Sequence, residues 1–259
     1  MEAKIDPITF AVIKNGLDSI VDEMAYDVMR TARSEIVKDV MDFSAAICDM
    51  SGNMIAQAKT VALHLGAVPE AMGVVLEHYG DDLAPGDAVV LNDPYQGGMH
   101  LPDIFMFMPV FHGLDLQGFT VVICHHTDVG GRVAGSNASD STEIYQEGLR
   151  IPALKLFEKG EINSTLIKMI DLNVRLPDRV IGDLKAQFAA CQTGVERAHL
   201  VSFEADGALL RELYSRDGIG TMVAADSYDA IRTARPEDLG GVLALIEPLA
   251  AAGLLVARS

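Results

Sequence analysis

The chain has 259 residues, 49% of them hydrophobic, enough to bury the core of one large domain or two small ones, and it reads as globular. A formal net charge of −17 argues against a nucleic acid or an anionic lipid surface as partner, because either needs a basic face that releases counterions. The three cysteines, Cys48, Cys124 and Cys191, are widely spaced with no CxxC pair, which suggests neither a disulfide framework nor a thiolate zinc site and fits a reducing cytoplasm.

The first residues, MEAKIDPITF, lack the basic start and apolar run of a secretory signal. From Pro7 onward Ile13, Leu17, Ile20, Val21, Met24 and Val28 recur at steps of three and four, which predicts an amphipathic helix to about Arg33. FSAAICDMSGNMIAQ, residues 43–57, reads as a hairpin around a Ser-Gly-Asn turn. Residues 68–80 have helical spacing and stop at a glycine, and Pro85-Gly86 turns the chain into the strand AVVLNDPY. IFMFMPVF and FTVVIC form a predicted antiparallel pair. Their span, residues 104–124, is too broken by His112, Gly113, Asp115, Gln117 and Gly118 to be a membrane helix of about 20 residues, and Glu247 and Pro248 interrupt residues 240–257 in the same way. Residues 129–142, VGGRVAGSNASDST, are a small-residue loop that either closes over a ligand or is plain surface. Short strands follow, then helices at about 164–176 and 177–191. Mixed order without regular alternation gives an α+β (mixed α/β) fold class.

The chemistry concentrates in NDPYQGGMHLPD and CHHTD. His100 and Asp103 stand three apart beside Pro102, hence on a turn, and His125 arrives at the end of a strand. Two imidazoles and a carboxylate with the remaining positions open suit a catalytic divalent ion, and the lack of thiolate favours Mn, Fe or Zn. The same spacing also admits a chance His-x-x-Asp pair and a hydrogen-bonded core histidine at 125. Cys124 alternates to the opposite strand face and reads as a buried structural thiol. Gly97-Gly98 lacks the lysine and helix start of a phosphate loop.

In order, MDFSAAICDMSGNMIAQ, HLGAVP, PGDAVVLNDPYQGGMHLPDI, CHHTDVGG and EIYQEGLRIPALKL resemble the signature blocks of the hydantoinase B, 5-oxoprolinase and acetone carboxylase large-subunit family, over roughly residues 5–193. The resemblance implies the N-terminal part of a larger hydantoinase B-like fold, residues 1–193 being its metal-binding domain, with His100, Asp103 and His125 as ligands. It further implies a separate hydantoinase A-type subunit that uses ATP to activate a cyclic amide by phosphorylation, the present subunit completing the ring opening. ATP then enters only through that partner. His126 and Asp128 are the expected proton carriers or orienters of the ligands, and Asn92 and Asp93 the expected substrate-positioning residues, with Glu143 and Glu147 as further candidates. For all of these a turn or cap hydrogen bond is the competing role.

The chain then departs from the family pattern. Residues 194–259, containing ALLRELYSRDGIGT, resemble the interdomain junction of N-acetylglutamate synthase, too little of it to imply acetyl transfer, which suggests a chimeric join near 194 and a helical tail. Beside the enzyme reading stand three others: an inactive fragment, an assembly module that docks a partner without turnover, and an acetone carboxylase-like carboxylation subunit.

Overall fold

The computed structural model describes residues 6–196 and the short strands His199–Leu200 and Thr221–Met222, which pair antiparallel. The tail expectation therefore lies outside the described residues beyond these pieces.

Helix α1, Pro7–Thr31, starts where Asp6 caps it, its side chain accepting from the N–H groups of Ile8 and Thr9 while Pro7 occupies a position whose N–H would go unused. Its stripe is buried at Val21, Met24 and Val28, whereas Ile8, Phe10 and Ile13 on the first turns are exposed. A single turn, α2 (Glu35–Lys38), leads into β1 (Phe43–Asp49) and β2 (Met54–Gln57), the expected hairpin. Then come a 3-10 turn at Leu63–Ala67, α3 (Val68–Tyr79), β3 (Ala88–Leu91), the long hairpin β4 (Asp103–His112) and β5 (Asp115–His125), β6 (Leu154–Glu158), β7 (Glu161–Ile162), α4 (Ser164–Asn173) and α5 (Pro177–Glu196).

Strands β1 to β7 make one sheet in the order β2-β1-β5-β4-β3-β6-β7, with every neighbouring pair antiparallel. Its central strands are apolar on both sides because both faces are covered. On one, Val21, Met24 and Val28 of α1 and Val180, Leu184 and Cys191 of α5 pack on Ala45, Met106, Val122 and Cys124. On the other, Val68, Ala71, Met72 and Val75 of α3 pack on Ala46, Phe105, Phe107, Phe119, Val121 and Ile123. Away from the bulge near the hairpin turn, odd-numbered residues of β4 and β5 thus face α3, and even-numbered ones face α1 and α5. The fold is α+β, as the mixed element order implies.

Two helix ends differ from the sequence expectation. α4 stops at Asn173 instead of Leu176, with Val174 extended, and α5 runs past Cys191 to Glu196. The extension is packed: a Cβ on Gly194 would lie 2.6 Å from Met24 Sδ and from Thr120 Cγ2, so α5 lies close against α1 and the sheet there.

Gly97 and Gly98 are likewise spent on close approach. Gly97 has φ +84°, and a Cβ there would stand 2.4 Å from the backbone nitrogen of Ala71 at the start of α3; one on Gly98 would stand 2.5 Å from the Asn92 carbonyl oxygen. The Gly97→Ala variant is therefore expected to lose about 1–3 kcal/mol by urea denaturation, since both the φ angle and the backbone contact resist the methyl group. An unchanged midpoint would contradict this packing.

Candidate metal centre

Asp103 and His125 are register partners at the open end of the β4–β5 ladder, and directly opposed residues share a face of the sheet. Both side chains leave on the α3 face, one position beyond the apolar pairs of Phe105 and Ile123. His100 comes from the turn entering β4, closed by the Asp103 N–H donating to the His100 carbonyl at 2.9 Å. Its Nδ1 lies 2.6 Å from Asp103 Oδ2, while His125 Nδ1 lies 3.1 Å from Asp103 Oδ1. One ligand atom from each of the three falls within 4.8 Å of the others. Atoms bound at about 2.0–2.2 Å to one ion can be no more than about 4.4 Å apart, so small side-chain rotations suffice to close on a metal.

Two further groups face the cluster. Asp42 immediately precedes β1, accepts the His125 N–H on its carbonyl at 3.0 Å, and holds Oδ2 4.0 Å from His125 Nδ1. His64, on the 3-10 turn before α3, is 1% exposed, its Nδ1 2.9 Å from Ser44 Oγ and its Nε2 3.5 Å from Asp42 Oδ1 and 3.7 Å from Asp103 Oδ1. Spacing gave no hint of either, since both come from segments far upstream of residues 100–125. The signal that was available is pairing: once Phe43 opposes Cys124, Asp42 must stand beside His125.

Burial alone would push the Asp103 carboxyl up, but hydrogen bonds from His100 and His125 outweigh it and hold the pKa at about 2. The bond to Asp103 in turn raises His100, against its own partial burial, with Glu147 adding to the charge that favours the imidazolium. For His64 burial dominates and lowers the pKa, opposed by Asp103 and Asp42. The centre is thus an ionised carboxylate among imidazoles, hard and borderline donors with no sulfur. The donor set fits a Mn, Fe or Zn ion.

The remaining candidates are placed elsewhere or already occupied. His126 alternates to the opposite face, fully buried, its Nε2 3.0 Å from Gln187 Oε1. The Gln187 amide donates to the carbonyls of Ile104 and Val122 at 2.8 and 3.0 Å. That ring lies on the α5 side of the sheet, away from the triad on the α3 side, a placement that sequence adjacency alone does not show. Asp128 is a clasp: it accepts from the N–H groups of Gly130, Gly135 and Arg175 at 2.9, 3.0 and 3.1 Å and from Arg175 Nη1 at 2.9 Å. These bonds outweigh burial and keep its pKa low, so it is a poor proton donor. Asn92 donates to the Leu101 and Leu149 carbonyls at 2.7 and 2.9 Å and accepts from the Ile151 N–H at 2.6 Å. Asp93 accepts from the Tyr95 N–H and pairs with Arg150 Nε, each near 3 Å (3.0 and 3.1 Å). Both shape the turn that presents His100, with their polar groups engaged in these contacts. Glu147 is half-buried near His100, Glu143 is exposed, and Cys124 is buried on the far face with its thiol pushed well up by burial.

A histidine-aspartate centre at the end of an antiparallel sheet packed by helices on both faces is the class these features define. The hydantoinase B/oxoprolinase family model matches residues 6–208, and the chain belongs to that family. It is 39% identical over 197 residues to the caprolactamase subunit beta of Pseudomonas jessenii, covering 76% of this chain and 34% of that one. The structure of the ATP-dependent caprolactamase from the same organism superposes with a TM-score of 0.69 at 34% identity, over 83% of this chain and 35% of that chain. A nucleotide-free acetone carboxylase gives the same TM-score at 19% identity, a likeness of fold, over 74% of this chain and 26% of that one. The chain thus spans a third or less of the length of its curated relatives and forms part of a larger hydantoinase B fold.

Two outcomes follow. A histidine whose pKa in the folded chain lies above its ordinary 6.5 stays protonated to higher pH, and an imidazolium has no lone pair for a metal. Co(II) affinity should therefore begin to fall, as pH is lowered, above pH 6.5, and titrations at stepped pH check this; constant affinity between pH 8 and 6 would contradict it. Asp128→Ala should expose residues 129–142 to limited proteolysis while leaving Co(II) affinity within about threefold, because the clasp holds a loop and not the ion.

Proposed function

We propose that this chain is the metal-binding part of a hydantoinase B-type subunit in an ATP-dependent hydrolase that opens a cyclic amide. The observation that carries the reading is the convergence of His100, Asp103 and His125 within 4.8 Å at the open end of one hairpin. The ionised Asp103 supplies the anionic ligand, and His100 and His125 supply neutral nitrogens once deprotonated. Asp42 faces the same space and adds a second carboxylate. A divalent ion held there polarises a carbonyl or provides hydroxide at neutral pH, either of which suits an activated amide. The likeness to an ATP-dependent caprolactamase and to its subunit beta supports a partner that handles the nucleotide, and we assign that task to a hydantoinase A-type subunit. Gly97 and Gly98 are committed to close packing against α3 and the Asn92 carbonyl, which agrees with ATP being handled by that partner. Among the described residues no helix is long and apolar enough to cross a membrane, and a cytoplasmic location completes the proposal.

A second reading has one observation in its favour. Because the chain spans only about a third of its relatives, it can hold the metal and dock a partner without turning over substrate.

Purified protein is expected to carry about one divalent transition metal per chain by elemental analysis, with Asp103→Ala losing most of it, since that variant removes a buried anionic ligand. Equal occupancy in the variant would refute the centre. Ring opening of hydantoin, 5-oxoproline or caprolactam is expected only with ATP and a cognate partner subunit; turnover without ATP by this chain alone would refute the two-subunit reading. Partner binding with no turnover would favour the second reading.

A further inference from the structure

On the α5 side of the sheet, three buried polar atoms lack a hydrogen-bond partner among the described residues: His126 Nδ1, Asp183 Oδ2 and Ser34 Oγ. Their side chains belong to residues that are 0%, 0% and 1% exposed, so bulk solvent does not reach them. Buried polar groups left unpaired are rare and costly, and three in one region call for an occupant.

The three belong to one locality. Asp183 Oδ1 accepts the N–H groups of Arg33 and Ser34 at 2.6 and 3.1 Å, which sets the carboxylate against the start of α2, beside the Ser34 side chain. One turn further along the same face of α5 stands Gln187, which holds the His126 ring. Asp183 is also the charged group that acts most strongly on that ring. The orphan atoms therefore converge where α2, α5 and the end of β5 meet.

Their bonding roles are fixed by their neighbours. The Gln187 amide nitrogen donates to the carbonyls of Ile104 and Val122, so Oε1 is the atom turned to His126 and it can only accept. His126 Nε2 must then donate, and Nδ1 of the neutral ring is a bare lone pair. Asp183 Oδ2 is a second acceptor, and the Ser34 hydroxyl carries the one hydrogen available. Two acceptors and one donor, none of them bonded to another, need a small molecule that donates twice and accepts at least once. Water has this inventory, and three hydrogen bonds are what a buried water ordinarily makes.

We propose that one water molecule is bound here as a fixed part of the fold, donating to His126 Nδ1 and Asp183 Oδ2 and accepting from Ser34 Oγ. It joins the end of β5 to α2 and α5, and so extends the hold of Gln187 on His126 by a second helix. The inference does not depend on a metal at the opposite face.

A crystal structure of the wild-type protein, at a resolution where ordered waters are visible, tests the proposal without a variant. The expected result is one density peak at about 2.7–3.2 Å from each of the three atoms, with no anomalous signal. Absent density, a peak that misses any of the three, or a direct bond between His126 Nδ1 and Asp183 Oδ2 would overturn it. A peak with an anomalous signal at about 2.0–2.2 Å from its neighbours would overturn it too, by showing a transition-metal ion instead. In solution, two-bond nitrogen–carbon correlation NMR of protein with 15N-labelled histidine is expected to show His126 at neutral pH with its proton on Nε2 and none on Nδ1. A proton on Nδ1 would remove the lone pair that the water needs and sink the assignment.

Discussion

The register of the β4–β5 hairpin is the constraint on which the rest depends. It sets Asp103 opposite His125, on the face that carries α3. Because side chains alternate, a slip of one strand by one residue would send Asp103 and His125 to opposite faces and dissolve the centre. The ladder is protected against such a slip by what its two faces bury. Phe105, Phe107, Phe119, Val121 and Ile123 need the apolar cover of α3, and Met106, Val122 and Cys124 need that of α1 and α5. The irregularity in the pairing sits at Val110/Phe111, near the hairpin turn and away from the chemistry.

The two faces also divide the polar work. On the α1–α5 side, Gln187 fixes α5 to the carbonyls of Ile104 and Val122 and holds His126. This ties the strand ends from behind while leaving the front to Asp103 and His125. On the α3 side, Asp103 is almost fully buried and yet strongly acidic, because two imidazoles return more to its charged form than desolvation removes. A buried carboxylate without such partners would instead take up a proton. The turn that supplies His100 is held by Asn92, whose amide bonds to three backbone groups, and by Gly97 and Gly98 pressed against α3 and the Asn92 carbonyl.

Much of this was legible in the chain. Helical and strand periodicities located α1, the first hairpin, α3 and the β4–β5 pair, and the donor types at 100, 103 and 125 marked a group that the fold brings together, because these residues lie on neighbouring pieces of one hairpin. What stayed hidden arises from contacts distant in sequence. Asp42 and His64 come to face the centre only once β1 pairs with β5 and the turn before α3 folds over the sheet end. Nor does sequence show the partners of His126 and Asp128: neighbours of His125 in the chain, they are set by the fold against Gln187 and Arg175. The length of α5 past Cys191 depends on Gly194 fitting against Met24 and Thr120, which no local propensity encodes.

X-ray absorption spectroscopy of the metal-loaded protein tests the central claim most directly, because it reports the donors around the ion itself. The account predicts a shell of nitrogen and oxygen at about 2.0–2.2 Å, with the outer-shell scattering of at least two imidazoles and no sulfur. A sulfur shell near 2.3 Å, or a shell of oxygen alone without imidazole scattering, would contradict it.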